Sequence, residues 1–219
     1  MEDTANLDSS ELGTKKYWDD SYTTEIKNYL SHGDPGEVWF DESSQFRVIK
    51  WMNSSEIKKD NSILDLGTGN GMMLIELSAE GYTNLTGVDY SEKGIELAEK
   101  IAKDQGHKIT FKVADLLSES PATELGQFQV CHDKGTYDAV SLMENAKEKR
   151  AAYTKNVANL MNDDGLFIIT SCNFTEEELL VSFEGTFVKH ALIPTQVFRF
   201  GGKTGSVVTS LVFKKASSN

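Results

Sequence analysis

The sequence predicts an α/β fold, a mostly parallel sheet with helices on both faces, and three observations carry that reading. From Ser62 onward, short apolar runs alternate with segments of helical periodicity, the pattern of strand–helix–strand units. The runs are apolar almost throughout, as in strands covered on both sides. A turn with glycines at alternate positions, Gly67, Gly69 and Gly71, joins the first run to the first helix, and Asp65, Asp89 and Asp115 stand at the ends of three successive runs.

Residues 1–12 are nearly devoid of apolar side chains and are expected to form a disordered tail. Residues 13–219 then form a single domain, with a helical cover over 13–60 and a ligand-binding core over 61–219. In the cover, "TKKYWDDSYTTEIKNYL" places Tyr17, Trp18, Tyr22, Ile26 and Leu30 at helical spacing, which predicts an amphipathic lid. A loop with Gly33, Pro35 and Gly36 leads through "EVWF" to a second helix over residues 45–56, with Phe46, Ile49 and Trp51 toward a core. Trp39 reads either as a packed aromatic or as part of the lid.

The core strands are "SILDL", "NLTGVD", "KITFKVAD", "QVCHDKG" and "GLFIITSC", with helices over residues 71–79, 91–103 and 146–161. "EGTFVKHALI" and "GSVVTSLVFKK" flank "FRFGGKTG" without an intervening helix. They are expected to pair antiparallel at the sheet edge, making seven strands.

At 219 residues and 39% apolar content, the chain can bury one sizeable core. Its formal charge of −12 argues against a nucleic-acid backbone as partner and favours a small molecule or a basic protein. The acidic start "MEDTANLDSSELG" is unlike a secretory leader, and no apolar run approaches the ~20 residues that span a bilayer. A cytoplasmic monomer is expected, with the nucleus as a second compartment. Cys131 and Cys172 have no metal-ligand spacing, so reduced, buried thiols and no metal are expected.

The turn Asp65-Leu66-Gly67-Thr68-Gly69-Asn70-Gly71 sits where a strand hands over to a helix, so its backbone can approach a ligand closely. Its GxGxG spacing differs from the GxGxxG of dinucleotide sites, favouring a ligand without a pyrophosphate. Asp89, roughly 20 residues on, can accept both hydroxyls of a ribose. Asp115 can accept an exocyclic amine, and the set points to an adenosine-containing ligand.

This combination resembles the class I methyltransferases that bind S-adenosylmethionine. The resemblance implies a Rossmann-like seven-stranded sheet of order 3-2-1-4-5-7-6 with the last strand antiparallel. It also implies Asp65, Gly67, Thr68 and Gly69 around the methionine part, Asp89 at the ribose, and Asp115 with Leu116 at the adenine. Tyr90 packs on the base or fills the core, and Trp39 belongs to the cofactor lid if it is not simply packed.

The fourth strand ends in "CHDKGTYDAVSL", without the N-P-P-Y type sequence that grips planar amides and base amines. Asp133 at that edge can hold a cationic amine by a charge-assisted hydrogen bond, or it can cap the turn that follows. "YWDD", "EVWF" and above all "DKGTYDAV" resemble the protein-lysine methyltransferases that modify translation elongation factor 1-alpha, which implies a basic protein substrate. A small-molecule methyltransferase and a non-catalytic S-adenosylmethionine-binding subunit are the alternatives.

Overall fold

The computed structural model describes residues 7–195, 197–200, 203–206 and 208–216, the segments 197–200 and 203–206 in backbone only. Its strands are β1 (Ser62–Leu66), β2 (Asn84–Asp89), β3 (Thr110–Val113), β4 (Phe128–Lys134), β5 (Met161–Ser171), β6 (Phe187–Ile193), β7 (Val197–Phe200), β8 (Lys203–Ser206) and β9 (Thr209–Lys215). Seven of them form one sheet in the order β3-β2-β1-β4-β5-β9-β6. The expected order holds, with β9, the sheet's last strand along the chain, lying between β5 and β6 and antiparallel to both. "FRFGGKTG" contributes a separate two-stranded hairpin, β7 with β8, which periodicity had not suggested.

Alternation along the strands divides the core in two. Ile63, Val130, Ile168 and Val212 point to one face. Leu64, Leu66, Cys131, Phe167, Ile169 and Phe213 point to the other, as the two-residue period of a strand requires. The first face is covered by α1 (Lys15–His32), α2 (Asp41–Ser54), α3 (Met72–Ala79) and α4 (Glu92–Asp104). On the second lie α5 (Pro121–Leu125), α6 (Thr136–Ser141), α7 (Ala146–Leu160) and α8 (Glu176–Ser182).

Several expectations are corrected. Of the tail, residues 1–6 lie outside the described residues, but Glu11–Gly13 form a 3-10 turn and the Ser10 N–H donates to the Leu142 carbonyl at 3.0 Å. Leu7 packs on the second core cluster, an anchoring that composition could not show. Helix α2 starts at Asp41 and buries Gln45, Val48, Ile49 and Met52, spaced i, i+3, i+4, i+7. Phe46 lies off that stripe and is 62% exposed, as Leu30 of α1 is at 64%. Cys131 is buried as expected, but Cys172, just past the end of β5, is exposed.

Candidate active site

Loops at the carboxyl ends of β1, β2, β3, β4 and β5 converge on one cavity, at the point where the strand order reverses between β1 and β4. Open α/β sheets bind ligands at such a point. The space between these walls, open solvent included, is about 1200 Å³.

The glycine turn forms its floor. Gly67 and Gly69 take φ of 68° and 54°, left-handed values that side chains disfavour. A Cβ on Gly67 would collide with Thr136 Oγ1, and one on Gly69 would come within 2.8 Å of the Tyr22 hydroxyl. Thr68 N–H donates to the Val88 carbonyl at 2.8 Å, pinning the turn to β2. Asn70 Nδ2 reaches the carbonyls of Pro35 and Glu37 at 3.1 and 3.2 Å, tying the turn to the segment between α1 and α2.

Asp89 lines the wall, its Oδ2 accepting the Gly69 N–H at 3.0 Å and its Oδ1 the Ser91 N–H at 2.8 Å. Burial pushes this carboxyl up to about 6, although both N–H groups favour its charged form. Asp115 also lines the cavity, with Oδ1 held by the Leu117 N–H at 2.8 Å. Tyr90, Leu116 and Trp39 complete the sequence-predicted wall.

Two expected residues are elsewhere. Asp65 lies beneath the turn, accepting from Thr68 Oγ1 and His132 Nδ1, both at 2.7 Å, and supports the floor from behind. Asp133 is wholly buried. Its Oδ1 accepts the Thr136 N–H and its Oδ2 the Tyr137 N–H, both at 3.0 Å, while the Tyr153 hydroxyl also donates to Oδ2. It therefore caps the first turn of α6, and the expectation that it meets an incoming amine is corrected: each oxygen is already engaged and neither faces the cavity. Burial pushes its carboxyl up to about 7 against the Tyr153 hydrogen bond.

Sequence reasoning also missed wall residues. Glu25 and Tyr22 come from α1, Lys134 from the end of β4 and Asp138 from α6. Lys134 Nζ donates to the Trp39 carbonyl at 3.0 Å, and burial lowers its pKa. Among the described lining residues, Glu25, Glu37, Asp89, Asp115 and Asp138 face Lys134 as the sole basic side chain. An acidic, partly enclosed cavity favours a cation. Trp18 seats the lid, its indole N–H donating to the Leu12 carbonyl at 2.8 Å and its ring 5.1 Å from Trp39. Its neighbour Tyr17 touches Trp18 but does not line the cavity.

A family model described as a methyltransferase domain matches residues 57–203. EEF1A lysine methyltransferase 2 of Danio rerio is 49% identical over 94% of this chain and 88% of its own length. The chain belongs to the class I protein-lysine methyltransferase family. The protein-lysine N-methyltransferase EFM4 of Saccharomyces cerevisiae is 38% identical over 98% of the chain and 99% of its own length. Magnesium protoporphyrin IX methyltransferase from Synechocystis, solved with bound S-adenosylmethionine, shares the fold at a TM-score of 0.64 and 17% identity over 95% of this chain and 99% of its own.

For a protein-lysine methyltransferase the cofactor is S-adenosylmethionine, and the residues present fit it. The lining offers a turn of close backbone approach, a carboxylate at each of two successive strand ends, and an excess of acid, which suits a ligand carrying a sulfonium. One carboxylate oxygen of this lining, Glu25 Oε2, is buried with no partner among the described residues, the state of a site that receives a donor from a ligand.

Proposed function

We propose that this enzyme methylates a lysine side chain of translation elongation factor 1-alpha in the cytoplasm. The observation that carries the substrate assignment is the near full-length identity, 49% and 38%, to enzymes named for lysine methylation, one of them for EEF1A. S-adenosylmethionine supplies a methyl group on a positively charged sulfur, which a neutral amine attacks directly.

The protein's own task is to bind, orient and exclude water, since in-line placement accounts for most of the rate in such a transfer. Gly67, Thr68 and Gly69 are assigned to the methionine part, Asp89 to the ribose, and Asp115 with Leu116 to the adenine, with Tyr90 and Trp39 closing over the ligand. Asp65 and Asp133 hold the frame from behind. A lysine, with an ordinary pKa of about 10.4, must shed a proton to water before it reacts. A sulfonium alongside and partial desolvation both lower that pKa.

Incubation with labelled S-adenosylmethionine and elongation factor 1-alpha lacking its methyl marks tests the assignment. Label on a lysine peptide, absent when that lysine is replaced by arginine, is expected. Rapid cofactor turnover on a small molecule with no label in the elongation factor would overturn it.

A further inference from the structure

The mechanism leaves two buried carboxylate oxygens of cavity-lining residues without a role, Asp138 Oδ2 and Glu25 Oε2. Asp138 lies in the first turn of α6, two residues past Thr136, and is only 5% exposed. Its Oδ1 is fully used, accepting Ser171 Oγ at 2.7 Å and the Asn173 N–H at 2.9 Å, which locks the side chain against the end of β5. Its Oδ2 is withdrawn from water and has no hydrogen bond of good geometry among the described residues, although the backbone N–H groups of Cys172 and of Asp138 itself also favour the charged carboxylate. A charged oxygen left in that state is costly unless something arrives to bond it.

Asp138 lines the cavity beside Gly135 and Thr136 at the end of β4, and beside Cys172 and Asn173 at the end of β5. That is the side of the switch point opposite Asp89 and Asp115, which hang from β2 and β3. Glu25 Oε2 is the other unpartnered oxygen, but it belongs to α1. Its Oε1 faces the Glu37 N–H at 3.5 Å, and its carboxylate would meet a Cβ on Gly36, so it sits under the lid segment.

We infer that Asp138 Oδ2 receives an N–H of the substrate lysine's amine and positions that nitrogen for methyl transfer. The inference rests on the lysine-methylating reading above. It relocates within the "DKGTYDAV" segment the role that sequence alone gave to Asp133: the first acid of the segment caps α6, and the second meets the substrate. Burial, which raises the Asp138 carboxyl to about 6, leaves it largely charged at neutral pH, as an acceptor for an ammonium or amine must be. No proton need pass through it, because the amine's surplus proton leaves to water.

The test compares the parent with Asp138→Asn, which keeps an acceptor for Ser171 and Asn173 but loses the charge. Expected are an unchanged affinity for S-adenosylhomocysteine, a melting temperature within a few degrees of the parent, and a kcat on elongation factor 1-alpha lower by roughly 10². Near-parental kcat in a parent–variant pair that both methylate the factor overturns the inference alone, whereas an inactive parent overturns the lysine-methylating reading. A second measurement needs no variant. With carboxyl-13C aspartate in the parent and S-adenosylhomocysteine present, n-butylamine should shift the Asp138 carboxyl resonance and butan-1-ol should not. An unmoved resonance, or equal shifts with both probes, overturns the inference even if Asp138→Asn fails to fold.

Discussion

At Asp89 the chemistry of one carboxyl sets the pH range of binding. Burial holds it at about 6, and ribose hydroxyls, assigned to this residue under the proposed function, would donate to its charged form, so that binding would drive off a proton at lower pH. Cofactor affinity should therefore rise from pH 5 to about 6 and level off above, which calorimetry across that range checks. Asp89→Ala should cost more than tenfold, about 1.4 kcal/mol or more. At Asp133 the folded pKa, about 7, lies above the unfolded value of about 3.9. Its contribution to stability is then fully present below about pH 4 and is lost as pH rises through about 7. Asp133→Asn should flatten that slope in urea denaturation, and should lose about 1–3 kcal/mol at low pH because a buried donor goes unmet.

Helix α1 is the element on which the site's closure depends. Its start is capped by Thr14 Oγ1, which accepts the Tyr17 N–H at 3.3 Å, and it ends at Gly33 with φ 76°. Asp19 Oδ1 accepts from Ser91 Oγ at 2.6 Å, and Tyr22 lies over Gly69, so the lid is fastened to both the α4 cap and the glycine turn. Trp18→Ala removes the indole bond to Leu12 and part of the cavity wall. Affinity for S-adenosylhomocysteine should fall about tenfold, with a loss of a few degrees in melting temperature. Deleting residues 1–28 should abolish turnover and also lower stability, because Tyr22 and Ile26 pack into the first core cluster. A thermal scan beside the activity assay reads both.

Across the whole molecule, the charge of −12 and the acid-lined cavity would act in the same direction on a protein substrate if that substrate is basic. Charge complementarity of this kind acts chiefly on association, and salt screens it over a Debye length of about 8 Å at 0.15 M. The kcat/KM for elongation factor 1-alpha should fall several-fold between 50 and 300 mM salt while kcat at saturation changes little. Initial rates at the two ionic strengths decide. A kcat/KM indifferent to salt would leave the acidity a property of the solvated surface alone.

What the residues determined by themselves was the framework and most of the cavity wall. Continuous apolar runs set between segments of helical periodicity identified the sheet strands, because burial on both faces leaves a local imprint. The glycine spacing and the acids at strand ends located Gly67, Gly69, Asp89 and Asp115, since a tight turn and a strand terminus are short-range features. Helix α8 carries a local signal too, for Thr175 and Glu178 form a capping box. The direction in which a side chain leaves its turn is not a local property. Asp133 and Asp138 are five residues apart in one motif, and nothing in their spacing says which is enclosed. Only tertiary structure decided it, by setting Tyr153 of α7 against Asp133, and Ser171 of β5 against one oxygen of Asp138 while the other was left without a hydrogen bond of good geometry among the described residues.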